Sequence, residues 1–197
     1  MPEQFADEPF EVEITRRSTE FTGLVWSVVS ETFTYNGLPT TREFIDHTGA
    51  VAILAMDDDD RILAIAQYRH PIRSRDWEIP AGLLDLEGES MLLAAKRELA
   101  EEVDLVAETW HTLAEITTSP GGSNEHLRIY LARGLSPTAQ QFAREAEEAD
   151  IVLRWISLDD AVAAVLSGAV KNVGFSIAVL AASAARAGGW QALRPAE

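Results

Sequence analysis

Glu98, Glu101 and Glu102 stand at spacing i, i+3 and i+4 in a run, Glu89–Val103, that contains no Gly or Pro. Leu, Ala, Glu, Lys and Arg dominate the run, and that composition predicts a helix. On a helix the three carboxylates share one patch of surface, where they repel one another and weaken the helix in isolation. A cation among them relieves the repulsion. Hard divalent cations such as Mg²⁺ take oxygen ligands and are usually held by a few carboxylates plus the phosphates of a substrate. Taken alone, the pattern reads as a solvated acidic face, partly neutralised by Lys96 and Arg97. The residues upstream decide against that reading: Trp77-Glu78-Ile79-Pro80-Ala81-Gly82 lead into a loop that ends at Glu89.

The helix needs a core to pack on. Leu92, Ala95, Leu99 and Val103 form one apolar stripe on it, and such a stripe faces inward. Ala50–Met56 and Arg61–Arg69 read as apolar strands, Trp77–Pro80 as a short one, and Trp110–Thr118, Glu125–Ala132 and Ile151–Ile156 as further strands. Ser157 is placed to cap a helix over Leu158–Leu166 that Gly168 ends, and Asn172 or Gly174 opens a last helix to about Arg186. Mixed strands with a central helix and terminal helices suggest an α+β chain, a helix–sheet–helix sandwich. Ahead of it, Phe10–Thr15, Phe21–Tyr35 and Thr40–Thr48 read as strands, with Asn36-Gly37 as a hairpin turn. These predict a small antiparallel sheet of their own over residues 1–48, and 49–197 as the main domain. A lone hairpin is marginal in water, so a second subunit is the expected partner of that sheet. Asp57-Asp58-Asp59-Asp60 reads as a solvated turn; an EF-hand loop needs Gly at its sixth position and Glu at its twelfth, where Ile62 and Tyr68 stand.

Composition narrows the function. A formal charge of −16 argues against a nucleic-acid surface, which needs clustered Lys and Arg. It leaves room for a small phosphorylated substrate, because bound cations invert the sign of a local site. The chain has no cysteine, hence no disulfide and no thiolate zinc site. His47, His70, His111 and His126 are scattered, and neither a Gly-x4-Gly-Lys phosphate loop nor a Gly-x-Ser-x-Gly elbow is present. The apolar stretch Val173–Ala185 is too short to span a bilayer, and the opening residues lack the charge-then-apolar order of a signal peptide. The expectation is a cytoplasmic protein with no membrane partner.

The stretch from Gly82 to Leu105 resembles the signature of the Nudix hydrolases: Gly, five residues, Glu, seven residues, Arg-Glu, an aliphatic, any residue, Glu-Glu, any residue, Gly, an aliphatic. Seven residues separate Glu89 from Arg97, and Arg97-Glu98-Leu99-Ala100-Glu101-Glu102 matches throughout. The sequence departs twice. Six residues, rather than five, lie between Gly82 and Glu89, and Asp104 stands in the place of the signature's last Gly. A helix C-terminus often needs positive φ at that place, which Asp tolerates less easily than Gly. The resemblance implies the Nudix α/β/α sandwich with a mixed sheet.

It also implies a chemistry. Splitting a pyrophosphate requires neutralised phosphates, an activated water and a stabilised leaving group, all of which clustered Mg²⁺ ions supply; Mn²⁺ is the alternative ion. By the resemblance, Glu98 and Glu102 match the principal metal ligands, Glu101 supports them, and Ala81 offers a backbone carbonyl. Gly82 lets the chain turn closely, and Arg97 is expected to pair with Glu89 and anchor the loop. A narrower likeness is to the ADP-ribose pyrophosphatases, in which a proline follows the signature by about sixteen residues; here Pro120 stands sixteen beyond Asp104. Gln67-Tyr68-Arg69 and the N-terminal strands, which serve dimerisation in that branch, also match. The branch places its catalytic base on a late loop, which puts Glu147 first and Glu148 second. Arg69 is the candidate for gripping phosphate, and Glu78, Ser123 and Glu125 for lining the same pocket. The expected reaction is hydrolysis of ADP-ribose to AMP and ribose 5-phosphate by a homodimer. The alternatives are another nucleoside diphosphate sugar, such as a UDP- or GDP-sugar, a Nudix-like module that binds a nucleotide without cleaving it, and an acidic interaction protein with no ligand.

Overall fold

A computed structural model describes residues 5–139, 142 and 150–196. The chain divides into two compact units: one takes Met1–His47 and adds Ser119–Glu125, and the other holds Thr48–Thr118 and His126–Glu197.

In the first unit, β1 (Ile14–Thr22), β2 (Ser27–Tyr35) and β3 (Leu38–Asp46) form an antiparallel sheet in chain order. The expected strand at Phe10–Thr15 begins instead at Ile14, and the run Phe21–Tyr35 is interrupted. The interruption is a tight turn in which the Gly23 N–H donates to the Trp26 carbonyl at 2.9 Å. A Cβ at Gly23 would sit 2.8 Å from that oxygen, so a side chain there would oppose the turn. Asn36 and Gly37 both have positive φ, 50° and 77°, and Tyr35 faces Leu38 across the two-residue loop. That is the turn geometry for which Asn-Gly is suited. Ser119–Glu125 joins this sheet through backbone and side chain: the Ile45 N–H donates to the Gly122 carbonyl at 2.9 Å, and the His47 N–H to Asn124 Oδ1 at 2.7 Å.

The second unit is built on β4 (Ala50–Ala55), which is buried along its whole length. Beside it lie β5 (Arg61–Arg69), β6 (Ser74–Glu78), β7 (Ala81–Leu83), β8 (Leu105–Thr117), β9 (His126–Pro137), β10 (Val152–Ser157) and β11 (Arg194–Pro195). One sheet runs β11-β8-β9-β4-β7 and the other β10-β5-β6. β4 pairs parallel with β9 and antiparallel with β7, so the larger sheet is mixed. A strand buried on both faces must be covered on both. On one side Val51, Ile53 and Ala55 meet Ala94, Ala95, Leu99 and Val103 of α1 (Met91–Val103). On the other, Ala52 and Leu54 meet Leu158 of α2 (Leu158–Leu166) and Phe175 and Val179 of α3 (Val173–Ala187). This is the expected α/β/α sandwich.

Each helix starts on a side-chain cap. Ser90 accepts from the Leu93 N–H, Ser157 from Asp160 and Asn172 from Phe175, and a cap contributes about 1 kcal/mol. The Ser90 cap begins α1 at Met91, two residues later than composition predicts, and leaves Glu89 in the loop. In the Asp57–Asp60 turn the Asp57 carboxylate accepts the backbone N–H of Asp59 and Arg61. Burial would raise its pKa, but the hydrogen bonds from Arg61 outweigh that and hold it below the ordinary value. Among the described residues no helix is long and apolar enough to cross a membrane.

Candidate active site

The position of α1 is set by its stripe rather than by its glutamates. Truncating a buried aliphatic side chain such as Leu99 costs about 2–5 kcal/mol, whereas repulsion between neighbouring carboxylates amounts to roughly 0.2–0.5 kcal/mol per pair. Leu99 is fully buried, so the helix docks and carries the acidic face with it. That face meets β7, a strand too short to show in the sequence pattern. Val51 of β4 faces Gly82 in register, and the Glu98 carboxylate lies where a Cβ on Gly82 would be. Glu102 is only 4% exposed, and its Oε2 accepts the Ala81 N–H at 2.9 Å. Gly82 thus allows close approach of helix and strand, and Ala81 fixes the deeper carboxylate.

Arg97 ties the rest together. Its Nε and Nη2 donate to both oxygens of Glu89, at 3.1 and 2.9 Å. Its Nη1 donates to Glu98 Oε1 at 2.6 Å and to Glu101 Oε2 at 3.1 Å. The guanidinium is therefore both the anchor of the loop and the cation among the glutamates. Hydrogen bonding to Glu89, then attraction to Glu98, raises its pKa well above the ordinary value. Among the described residues, no three His, Cys, Asp or Glu side chains are already gathered around one ion-sized point. The chemistry of the donor set still fits a hard divalent ion: Glu98, Glu101, Glu102 and the backbone at Ala81 offer oxygen alone.

The Arg97 hydrogen bonds hold the Glu89 carboxyl below its ordinary value. A carboxyl with a depressed folded pKa adds stability above its unfolded pKa, about 4.3, and that stability is lost as pH falls through the lower folded value. Glu89→Gln is therefore expected to lower stability at neutral pH and to flatten the acid limb of the pH–stability curve below pH about 4. Urea midpoints measured for both proteins across that range check it.

The other residues singled out in the sequence fall elsewhere. Arg69 of β5 makes a two-pronged pair with buried Glu78 of β6, both distances being 2.7 Å. Gln67, which enters the sequence likeness only as part of Gln67-Tyr68-Arg69 and with no role of its own, is buried beside them, with Nε2 3.5 Å from Glu78 Oε2. Its only signal was a polar residue two before Arg69 at the end of an apolar strand. Pro120, Ser123 and Glu125 belong to the first unit. There the Glu125 N–H donates to Ser123 Oγ at 3.2 Å, and Glu125 lies 3.7 Å from His47 Nε2. Glu147 and Glu148 lie outside the described residues.

A glycine-fronted strand against a short helix bearing Glu98, Glu101 and Glu102, held in an α/β/α sandwich, is the architecture of a Nudix domain. Residues 46–173 match the NUDIX domain, and the chain belongs to the Nudix family. It is 47% identical over 148 residues to the ADP-ribose pyrophosphatase of Mycobacterium tuberculosis, covering 75% of this chain and 71% of that one. It is 35% identical over 145 residues to the ADP-ribose pyrophosphatase of Bacillus subtilis, covering 73% and 77%. A methanol dehydrogenase activator of Bacillus methanolicus is 36% identical over 126 residues, covering 64% and 67%. Among solved structures, that of an ADP compounds hydrolase superposes with a TM-score of 0.77 at 20% identity, covering 93% of this chain and 98% of that chain.

Proposed function

We propose that this chain hydrolyses the pyrophosphate bond of ADP-ribose to AMP and ribose 5-phosphate, with Mg²⁺ as the working ion and Mn²⁺ as a substitute. The observation that carries the reading is the seating of Glu98 over Gly82 beside Glu102 bonded to the Ala81 N–H. The relatives named for ADP-ribose supply the substrate class. Glu98 and Glu102 are the ligands in this reading, Glu101 assists, and the Ala81 carbonyl completes the set. Bound there, the ion supplies charge neutralisation of the diphosphate and a more acidic water.

The remaining work falls to the chain. Arg97 keeps Glu98 and the Glu89 loop in place. Arg69, whose Nε and Nη2 are held by Glu78, contributes its positive charge to phosphate binding. Glu147, or failing that Glu148, takes the proton from the attacking water, and Gly82 keeps the space that Glu98 needs. Glu147→Gln is expected to reduce kcat by about 10²–10⁴-fold, the usual contribution of general base catalysis; a larger loss in Glu148→Gln moves the role there.

The reading includes a homodimer that uses the N-terminal sheet. Its support is the exposed apolar surface of that unit: Phe21, Leu24, Val25 and Leu38 stand largely in solvent, and Trp26 partly so. Large exposed apolar patches mark interaction surfaces, and sedimentation equilibrium gives the stoichiometry directly. The activity itself is tested by incubating the protein with Mg²⁺ and a panel of ADP-ribose, UDP- and GDP-sugars and resolving the products. Equimolar AMP and ribose 5-phosphate, formed fastest from ADP-ribose, is the expected result. Faster cleavage of another sugar nucleotide, or none of any, overturns it.

A further inference from the structure

Gln67 is a carboxamide buried where an aliphatic side chain would serve. It closes the buried run of β5, in which Ile62, Leu63, Ala64, Ile65 and Ala66 are all apolar, and it is only 3% exposed. Burying an amide costs free energy unless a hydrogen bond offsets it. Here Nε2 donates to Glu78 Oε2 at 3.5 Å, a long bond and so a modest one. The strand register brings the two together. Glu78 of β6 stands opposite Ile65, so it shares a sheet face with Ile65, Gln67 and Arg69, which alternate along β5. Arg69 lies four residues beyond Ile65. Its side chain reaches back past position 67 to meet Glu78, Nε on Oε1 and Nη2 on Oε2. Glu78 is thus the middle member of a polar group of three, with Gln67 on its inner side. The torsion that turns a carboxylate about its own axis is soft, whereas a bidentate partner needs the carboxylate in one plane. A further donor on Oε2 helps to fix that plane.

We propose that Gln67 is a positioning residue: it holds the Glu78 carboxylate in the plane that Arg69 meets with two parallel bonds, and so helps to fix where the Arg69 charge stands. The functional part of this inference rests on the reading that this charge binds the phosphates of the substrate. A guanidinium matched at two points to a carboxylate has a set direction, which a one-point contact lacks. When the carboxylate turns, the charge moves with it, and its hold on phosphate weakens in the ground state and the transition state alike. A loss of that kind raises KM and leaves kcat as it was. An amide that merely fills the core would leave both constants alone.

Gln67→Met removes the donor at nearly the same side-chain length and leaves Glu78 paired with Arg69. Its KM for ADP-ribose is expected to rise about threefold, the lower end of what one hydrogen bond carries. Its kcat stays parental, and its Tm is unchanged or higher, because an apolar side chain suits the buried site. The Arg69 Nε–H, followed by NMR in the whole protein, exchanges about threefold faster. Arg69→Lys supplies the control. An ammonium is a point charge with no plane to match, so adding Gln67→Met to Arg69→Lys raises KM no further. A parental KM in Gln67→Met beside a raised KM in Arg69→Lys overturns the proposal. So does parental Nε–H exchange, a collapse in Tm, or an undiminished effect of Gln67→Met in the Arg69→Lys protein. If neither single variant changes KM while the Nε–H still exchanges faster in Gln67→Met, the phosphate reading of Arg69 falls and the positioning stands.

Discussion

Glu98→Gln leaves the protein folded and lowers kcat by about three orders of magnitude. The fold survives because Glu98 takes no part in the buried stripe of α1 and its side chain keeps 14% exposure. Arg97 retains Glu89 and Glu101 as partners when Glu98 loses its charge. The rate falls because an amide is a far weaker ligand for a hard cation than a carboxylate. An ion that polarises phosphoryl oxygens supplies several kcal/mol in the transition state, and ~4 kcal/mol corresponds to about 10³-fold in rate. The rival, an acidic helix face that is only solvated, predicts no change. Kinetics with excess Mg²⁺, alongside thermal melts of both proteins, distinguish the two.

Gly82→Ala separates the site from the fold more sharply. The new Cβ falls on the Glu98 carboxylate. The clash takes in the Glu98 Cγ as well as the carboxylate, so the whole side chain must turn about its Cα–Cβ bond, a change that leaves the backbone in place. Gly82 does not sit in the positive-φ region, so alanine fits the backbone, and stiffening the unfolded chain favours the variant by ~0.4–1 kcal/mol. Turnover has no such escape. A ligand displaced by an ångström or more costs about 10²-fold, so kcat/KM should fall by that factor while Tm stays within a few degrees. A parental rate would show that Glu98 need not occupy the space above Gly82; a collapse in Tm would show that strand β7 itself had moved.

The parts of the molecule that follow from a short repeat are legible in the amino-acid sequence. The 3.6-residue period of Leu92, Ala95, Leu99 and Val103 marks α1 and its acidic face together, and Asn36-Gly37 marks the hairpin. The differences have physical causes. The Ser90 cap overrides the helix-forming composition of Glu89. Strand β8 begins at Leu105, directly after α1, because β9 supplies partners as far as Pro137; the polar Glu108 and Thr109 hide that extension from a local reading. Strand β7 exists only because β4 pairs with it. The contacts of Arg97 with Glu98 and Glu101 come from side-chain packing on one helix face. The Arg69–Glu78 pair depends on how the His70–Ile72 turn and the left-handed Arg73 set the register of β5 against β6. That Ser119–Glu125 joins the first unit follows from Ile45 pairing with Ser123, seventy-eight residues apart. Asp104 reads in sequence as a missing glycine and in space as an acceptor for the Thr138 and Phe142 amides. Glu147 and Glu148 rest on sequence alone.

The most direct measurement is a crystal of the intact protein soaked with Mg²⁺ and a non-hydrolysable ADP-ribose analogue. The account predicts ion density between the Glu98 and Glu102 carboxylates beside Ala81, with the diphosphate of the analogue against it. A bound analogue with no ion at that helix, or an ion held by other residues, would contradict it.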